Sequence, residues 1–322
     1  IFALLSERRL GPRLYGVFPG GRLEQFIPAR SLFTSELADP ELSSIIATKM
    51  ANIHALNVPI SKEWLKSGQE FLCKTPKIDG VDSSIIEGLQ KINYHNEMEY
   101  LKQVVAKVQS PVVFAHNDMQ EGNILLKTHN KSNEDRICLI DFEYCSYNYR
   151  GFDLANHFCE WMYNYKFPVH PYFTVAKDNF PPKDKQVLYV WFLMLLFIFY
   201  QHFLCSLLLR SSGLSKSLHT TVQLIYYLHN IQKKKNTGAK HIKHFSFEDK
   251  LLQEVQTFML ASHLFWALWS IVQGQVSSIP FGYMVSADCL QLQKYCRNSK
   301  ALLRRTNWGR RRVQDKMLST LE

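Results

Sequence analysis

The sequence predicts a mixed α/β chain of the α+β type, with a short strand-bearing start and a large, mostly helical remainder. Three observations predict it. Two apolar runs flank a Pro19-Gly20-Gly21 turn, as in a pair of short strands. Apolar residues recur at helical spacing over roughly 35–56 and 85–108. Three short apolar runs, 112–115, 122–126 and 137–140, lead into or out of segments rich in carboxylates and amides.

The opening IFALLSERRLGP is no secretory leader, because Glu7, Arg8 and Arg9 arrive at once. It reads as the tail of a helix stopped by Gly11-Pro12, so the intact protein is expected to extend before Ile1. Leu14–Gly16 and Arg22–Ile27 follow as strands, and Pro28 ends the second. A helix is expected over 35–56 with Leu42, Ile45, Ile46, Met50 and Ile53 on one face, and another over 85–108. Strands VVFA, GNILL and ICLI come next, and helices dominate after Glu143.

At 322 residues and 46% hydrophobic, the chain can bury a sizeable core. Its seven cysteines form no CxxC pair, which excludes a zinc ribbon or disulfide framework and favours a reducing, cytoplasmic setting. The net charge of +10 would suit nucleic acid, but its distribution does not. The excess lies in 187–245, with seven Lys/Arg and no acid, and in 299–322, with seven Lys/Arg and two acids. No nucleic-acid partner is therefore expected.

The chemistry concentrates at His116-Asn117-Asp118-Met119-Gln120-Glu121-Gly122-Asn123. This is the His-x-Asp-x-x-x-x-Asn spacing of a kinase catalytic loop. The Asp must reach a nucleophilic hydroxyl as base or orienter, and the Asn, five positions on, a metal beside the phosphates. Asp141-Phe142-Glu143 then closes an apolar strand, where a kinase places its metal-binding Asp. Either piece alone could be a turn residue; both in order, each in its strand–loop context, point to phosphoryl transfer. His116 is expected to orient the loop rather than move protons. His157 and His263 read as satisfied core histidines, and Arg150 and Asp153 as a structural pair after Asp141.

VVFAHNDMQEGNILL, LIDFEYCSYNYRGFDLANHFCEWMY, ASHLFWALWSIVQ and RLGPRLYGVFPGGRLEQFIPAR resemble signature segments of the choline/ethanolamine kinases. The resemblance covers residues 1 to about 186 and about 245 to 284. It implies a protein-kinase-like fold, a partial N-lobe plus a large, mostly helical C-lobe. It also implies ATP and Mg²⁺ as cofactors, a small amino-alcohol substrate, a place in phosphatidylcholine or phosphatidylethanolamine synthesis, and a homodimer. It makes Asp118 the catalytic base, gives Mg²⁺ to Asn123 and Asp141, and has Gln120 support the loop. Gln25 and Ile27 lie at the adenine hinge, and Glu160, Tyr144, Tyr165, Trp266, Trp269 and Phe281 form the alcohol site. Choline's quaternary ammonium has no N–H to donate, so aromatic faces and a nearby carboxylate are the natural way to hold it. Trp266 and Trp269, three apart, share a helix face. Alone they read as core; with Glu160 and the tyrosines they read as a cage.

The implied division is 1–30 for the N-lobe remnant and hinge, 31–296 for the C-lobe, and 297–322 for a basic tail. Residues 187–244 have no counterpart in the resemblance and read as an atypical apolar and basic insertion. Its apolar part, 187–209, is long enough to span a bilayer but is interrupted by Gln201 and His202. A membrane span, a buried helix and a segment foreign to the functional fold stay open for it. A dedicated ethanolamine kinase and a non-catalytic, membrane-tethered remnant are the competing functional readings.

Overall fold

The structure, a computed structural model, describes residues 1–62, 83–128, 136–193 and 247–290. Helix α1 (Phe2–Glu7) ends in a tight reversal: the Arg9 amide donates to the Ser6 carbonyl and the Leu10 amide to the Leu5 carbonyl. That pattern requires a left-handed residue, and Arg9 takes it at φ 58° where glycine is usual. The chain then crosses the ring of Phe142. A Cβ on Gly11 would lie 2.7 Å from that ring, so only glycine allows the approach.

Strands β1 (Leu14–Phe18) and β2 (Gly21–Glu24) form an antiparallel hairpin. β3 (Ala29–Ser31) leaves it to pair with β5 (Ile124–Lys127), which pairs with β6 (Ile137–Leu139). β4 (Val112–Ala115) pairs with β7 (Ser146–Tyr149), a strand where helix was expected. A short pair, β8 (Tyr163–Asn164) and β9 (Thr174–Val175), follows.

Helix α2 (Pro40–His54) starts later than its periodicity suggested, because Asp39 accepts the Leu42 amide as N-cap and Pro40 fits the first turn. All five apolar residues expected on its inner face are buried. The helix expected over 85–108 is two, α3 (Ser83–Gln90) and α4 (Tyr94–Val105). Asn93 breaks it by capping the second through the Asn96 amide. α5 (Arg150–Glu160) lies against α7 (Phe247–Val276) so closely that a Cβ on Gly151 would meet Phe258 at 2.4 Å. α6 (183–193) and α8 (Tyr283–Cys289) complete the helices among the described residues.

One core joins Leu5, Leu32, Met50, Phe114, Phe158, Tyr189 and Leu268. Of the 187–209 run, Val187, Tyr189, Val190 and Leu193 are buried, Tyr189 and Leu193 within that core. The rest of that run, residues 194–244 of the segment read as an insertion, and the 297–322 tail lie outside the described residues. Asp249–Val276 is long and apolar enough to cross a membrane, but 72% of its most apolar stretch is buried inside the fold.

Candidate active site

Two sheets bring the loop 116–123 and the turn 140–145 face to face. β4 leads into the loop and pairs with β7, which follows the turn; the loop leads into β5, which pairs with β6, which precedes the turn. The Ile140 amide donates to the Asn123 carbonyl at 3.0 Å, closing the arrangement.

Inside it, His116 is fully buried. Its Nε2 lies 3.0 Å from the Ile140 carbonyl and its Nδ1 3.3 Å from the Asp118 amide, which together fix one neutral tautomer. Burial lowers its pKa, so it orients the loop, as expected. Asn117 adopts the left-handed conformation, φ 68°. Its Nδ2 donates to the Tyr144 carbonyl and Ser146 Oγ, both at 2.9 Å, and its Oδ1 accepts from Asn148 Nδ2 at 2.8 Å.

Asp153 is the anchor that sequence reading misplaced. Its carboxylate accepts the His116 amide at 3.1 Å, the Asn117 amide at 2.8 Å and His54 Nε2 at 2.7 Å. Arg150 does not pair with it, because Arg150 stands at the helix start facing α7, where Glu254 takes it at 2.8 Å. Burial opposes ionisation of Asp153, but the hydrogen bond and charge of His54, with His116 and the Asn117 amide, outweigh it and lower its pKa.

Asn123 Nδ2 donates to Asp118 Oδ2 at 2.8 Å and to the Asp118 carbonyl at 2.9 Å. Both amide hydrogens are thereby used, leaving the side-chain oxygen of Asn123, Oδ1, to accept. Gln120 caps the following turn through the Gly122 amide at 2.7 Å. Burial raises the Asp118 pKa to about 7, against the Asn123 hydrogen bond and with help from Asp141, Glu143 and Asp153. Asp141 is exposed and left-handed, φ 61°, held by Phe142 packing against His116.

A cavity of about 300 Å³ opens beside them. Asp118, Gln120, Asp141, Tyr144, Glu160, Tyr165, Trp266, Trp269 and Phe281 all line it, so nearly the whole expected site converges. Trp266 lies 5.4 Å from both Tyr144 and Trp269, edge to face. Their indole N–H groups are already spent, Trp266 on Asn156 Oδ1 at 2.6 Å and Trp269 on the Tyr144 hydroxyl at 2.8 Å. The ring faces remain for a guest. Glu160 is buried and accepts the Tyr165 hydroxyl at 2.9 Å. Burial first, then the Asp118 and Glu121 carboxylates, push its pKa well up. Such a carboxyl is short of a positive partner, and a cation in the cavity would supply one.

Gln25 and Ile27 line a different cavity, of about 370 Å³, beside Arg9, Arg13, Lys49 and Lys127. His157 is the satisfied core histidine expected, between the Met119 carbonyl at 2.8 Å and the Trp161 indole at 3.2 Å, with burial pushing its pKa down to about 4. His263 is buried too, but it lines the main cavity. Residues that sequence reasoning missed are His54, Asn117, Asn156 and Tyr283. Asn156 ties cage to loop: its Oδ1 accepts Trp266 and its Nδ2 donates to the Asn117 carbonyl at 3.2 Å. Only long-range contact reveals it; its place in an apolar helix gives no cue.

The donors suit a hard cation. Asn123 and Asp141 offer amide and carboxylate oxygens, and among the described residues no cluster of three or more His, Cys, Asp or Glu could cage a metal. Two protein oxygens with room for water and phosphate is how Mg²⁺ is usually held.

The family model described as choline/ethanolamine kinase matches residues 1–194 and 211–295. Choline kinase alpha of Mus musculus is 42% identical over 295 residues, 89% of this chain and 57% of that protein. A choline/ethanolamine kinase of Rattus norvegicus is 40% identical over 293 residues, 89% of this chain and 64% of its own length. The chain thus spans less than two thirds of these relatives. Its fold matches a choline kinase structure from Cryptosporidium parvum with a TM-score of 0.61 at 23% identity, over 95% of this chain and 78% of that one.

Proposed function

Because the chain belongs to the choline/ethanolamine kinase family, we propose that it transfers the γ-phosphoryl group of ATP to choline, and to ethanolamine as a second substrate. The observation that carries this is one cavity holding the loop carboxylate Asp118, the exposed Asp141 and an aromatic cage around buried Glu160. Asp118 takes the proton from the substrate hydroxyl as that oxygen bonds to the γ-phosphorus and the bond from phosphorus to the departing ADP oxygen breaks; a pKa of about 7 suits a base working near neutral pH. Asn123 holds Asp118 in place, and its side-chain oxygen, with the Asp141 carboxylate, would hold Mg²⁺. The ion would neutralise charge on the phosphates. Trp266, Trp269, Tyr144, Tyr165 and Phe281 enclose the ammonium head, and Glu160 supplies the counter-charge. Gln25 and Ile27 take the adenine side; the basic side chains around their cavity suit an anionic nucleotide. The product is the phospho-amino alcohol that feeds phospholipid head-group synthesis, in a reducing, cytoplasmic setting.

Incubation of the purified protein with Mg²⁺, ATP and choline tests this, with phosphocholine as the expected product and its absence the refutation. Asp141→Ala should depress the rate and shift the activity-versus-Mg²⁺ curve to higher concentration, since an alkyl group offers no hard oxygen. An unchanged curve would remove Asp141 from the metal site. Trp266→Ala should raise KM for choline more than for ethanolamine, whose N–H donors can still reach acceptors. Equal changes would mark Trp266 as packing only.

A further inference from the structure

On α7, Ser262, Trp266 and Ser270 recur every fourth residue and share one face, and all three line the amino-alcohol cavity. On α8, Ser286 lines it as well. Ser270 and Ser286 are 2% and 8% exposed. Their hydroxyls lie 3.4 Å apart, and that is the one side-chain hydrogen bond either makes among the described residues. An O–H···O bond is normally ~2.7–2.8 Å, so the pair is weakly made and both hydroxyls keep bonding capacity in a buried place. Ser270 stands one turn beyond Trp266, ~6 Å along the axis. A two-carbon arm on the bound nitrogen, ending in a hydroxyl and adding one hydrogen bond, covers that distance.

We propose that this cavity accepts amino alcohols whose nitrogen carries a second hydroxyalkyl arm, with Ser270 and Ser286 receiving the terminal hydroxyl of that arm. The proposal rests on the amino-alcohol reading of the site. A guest hydroxyl that completes two under-used buried hydroxyls is favoured over an apolar group of the same size, because the apolar group leaves them unmet.

The test compares bis(2-hydroxyethyl)dimethylammonium with its isostere (2-hydroxyethyl)dimethylpropylammonium, in which a methyl replaces one hydroxyl. Each is measured by calorimetric Kd and by kcat/KM, with choline alongside. After halving for its two equivalent arms, the hydroxylated compound should be favoured by ~5-fold, the size of one modest hydrogen bond. Ser270→Ala and Ser286→Ala, each small enough to keep the fold, should separately bring that ratio towards one. A ratio near one in the unsubstituted protein overturns the proposal, as does a ratio that neither variant changes, or no binding of any of the three ammonium compounds. Choline that binds without being phosphorylated would sink the kinase reading, while the Kd ratio would still decide the arm preference.

Discussion

Asp118→Asn is expected to lower kcat for choline by at least ~10²-fold, within the ~10²–10⁴ range of general-base contributions. The substitution keeps size and shape. Its amide oxygen can still accept from Asn123, which now donates at 2.8 Å to the carboxylate. What it loses is the ability to take a proton. ATP affinity should stay close to normal, since Gln25 and Ile27, proposed for the adenine side, line another cavity. A fall in kcat with unchanged nucleotide binding is therefore the signature, read from phosphocholine formation and nucleotide titration. Near-normal turnover would show that Asp118 is not the base.

The second large effect is on stability. Asp153→Ala should cost ~3–5 kcal/mol, the usual consequence of removing one partner from a buried charged cluster. The substitution strands His54 and the amides of His116 and Asn117 together, all of them buried. Asp153→Asn should cost less, because one oxygen still accepts. The folded pKa lies below the ordinary 3.8, so the contribution is complete above that value and fades as pH falls from there through the folded pKa. Urea denaturation at neutral pH reads the difference directly. A loss under ~1 kcal/mol would mean that the loop is held by something else.

The loop 116–123 and the turn at Asp141 were legible because their spacing is short and sits between apolar runs. So was the inner face of α2, where each buried residue is spaced by the helix itself. Asp153 was legible as structural but was paired with the wrong residue. Helical spacing places Arg150 near it, yet nothing local reports that Glu254, 104 residues on, offers Arg150 a better partner. β7 was hidden for the same reason: SYNY is a strand only because β4 is there to pair with it. The break at Asn93 was readable in principle, since Asn is a favoured cap, but the apolar periodicity runs through it. The roles of His54 and Asn156 depend on contacts across 99 and 110 residues. No window of sequence contains both partners.

That distance bears on when the protein becomes competent. Asn117 is held by side chains from β7 and α5, Asn148 and Asp153 among them, and His54 of α2, more than 60 positions upstream, acts on it only through Asp153. Closing such long chain segments is slow, because the entropy of closure is lost before the contact is gained. The loop is therefore expected to take its shape late in folding. The geometry of the loop 116–123 is a product of global assembly, and a fragment spanning the motif alone is not expected to hold it.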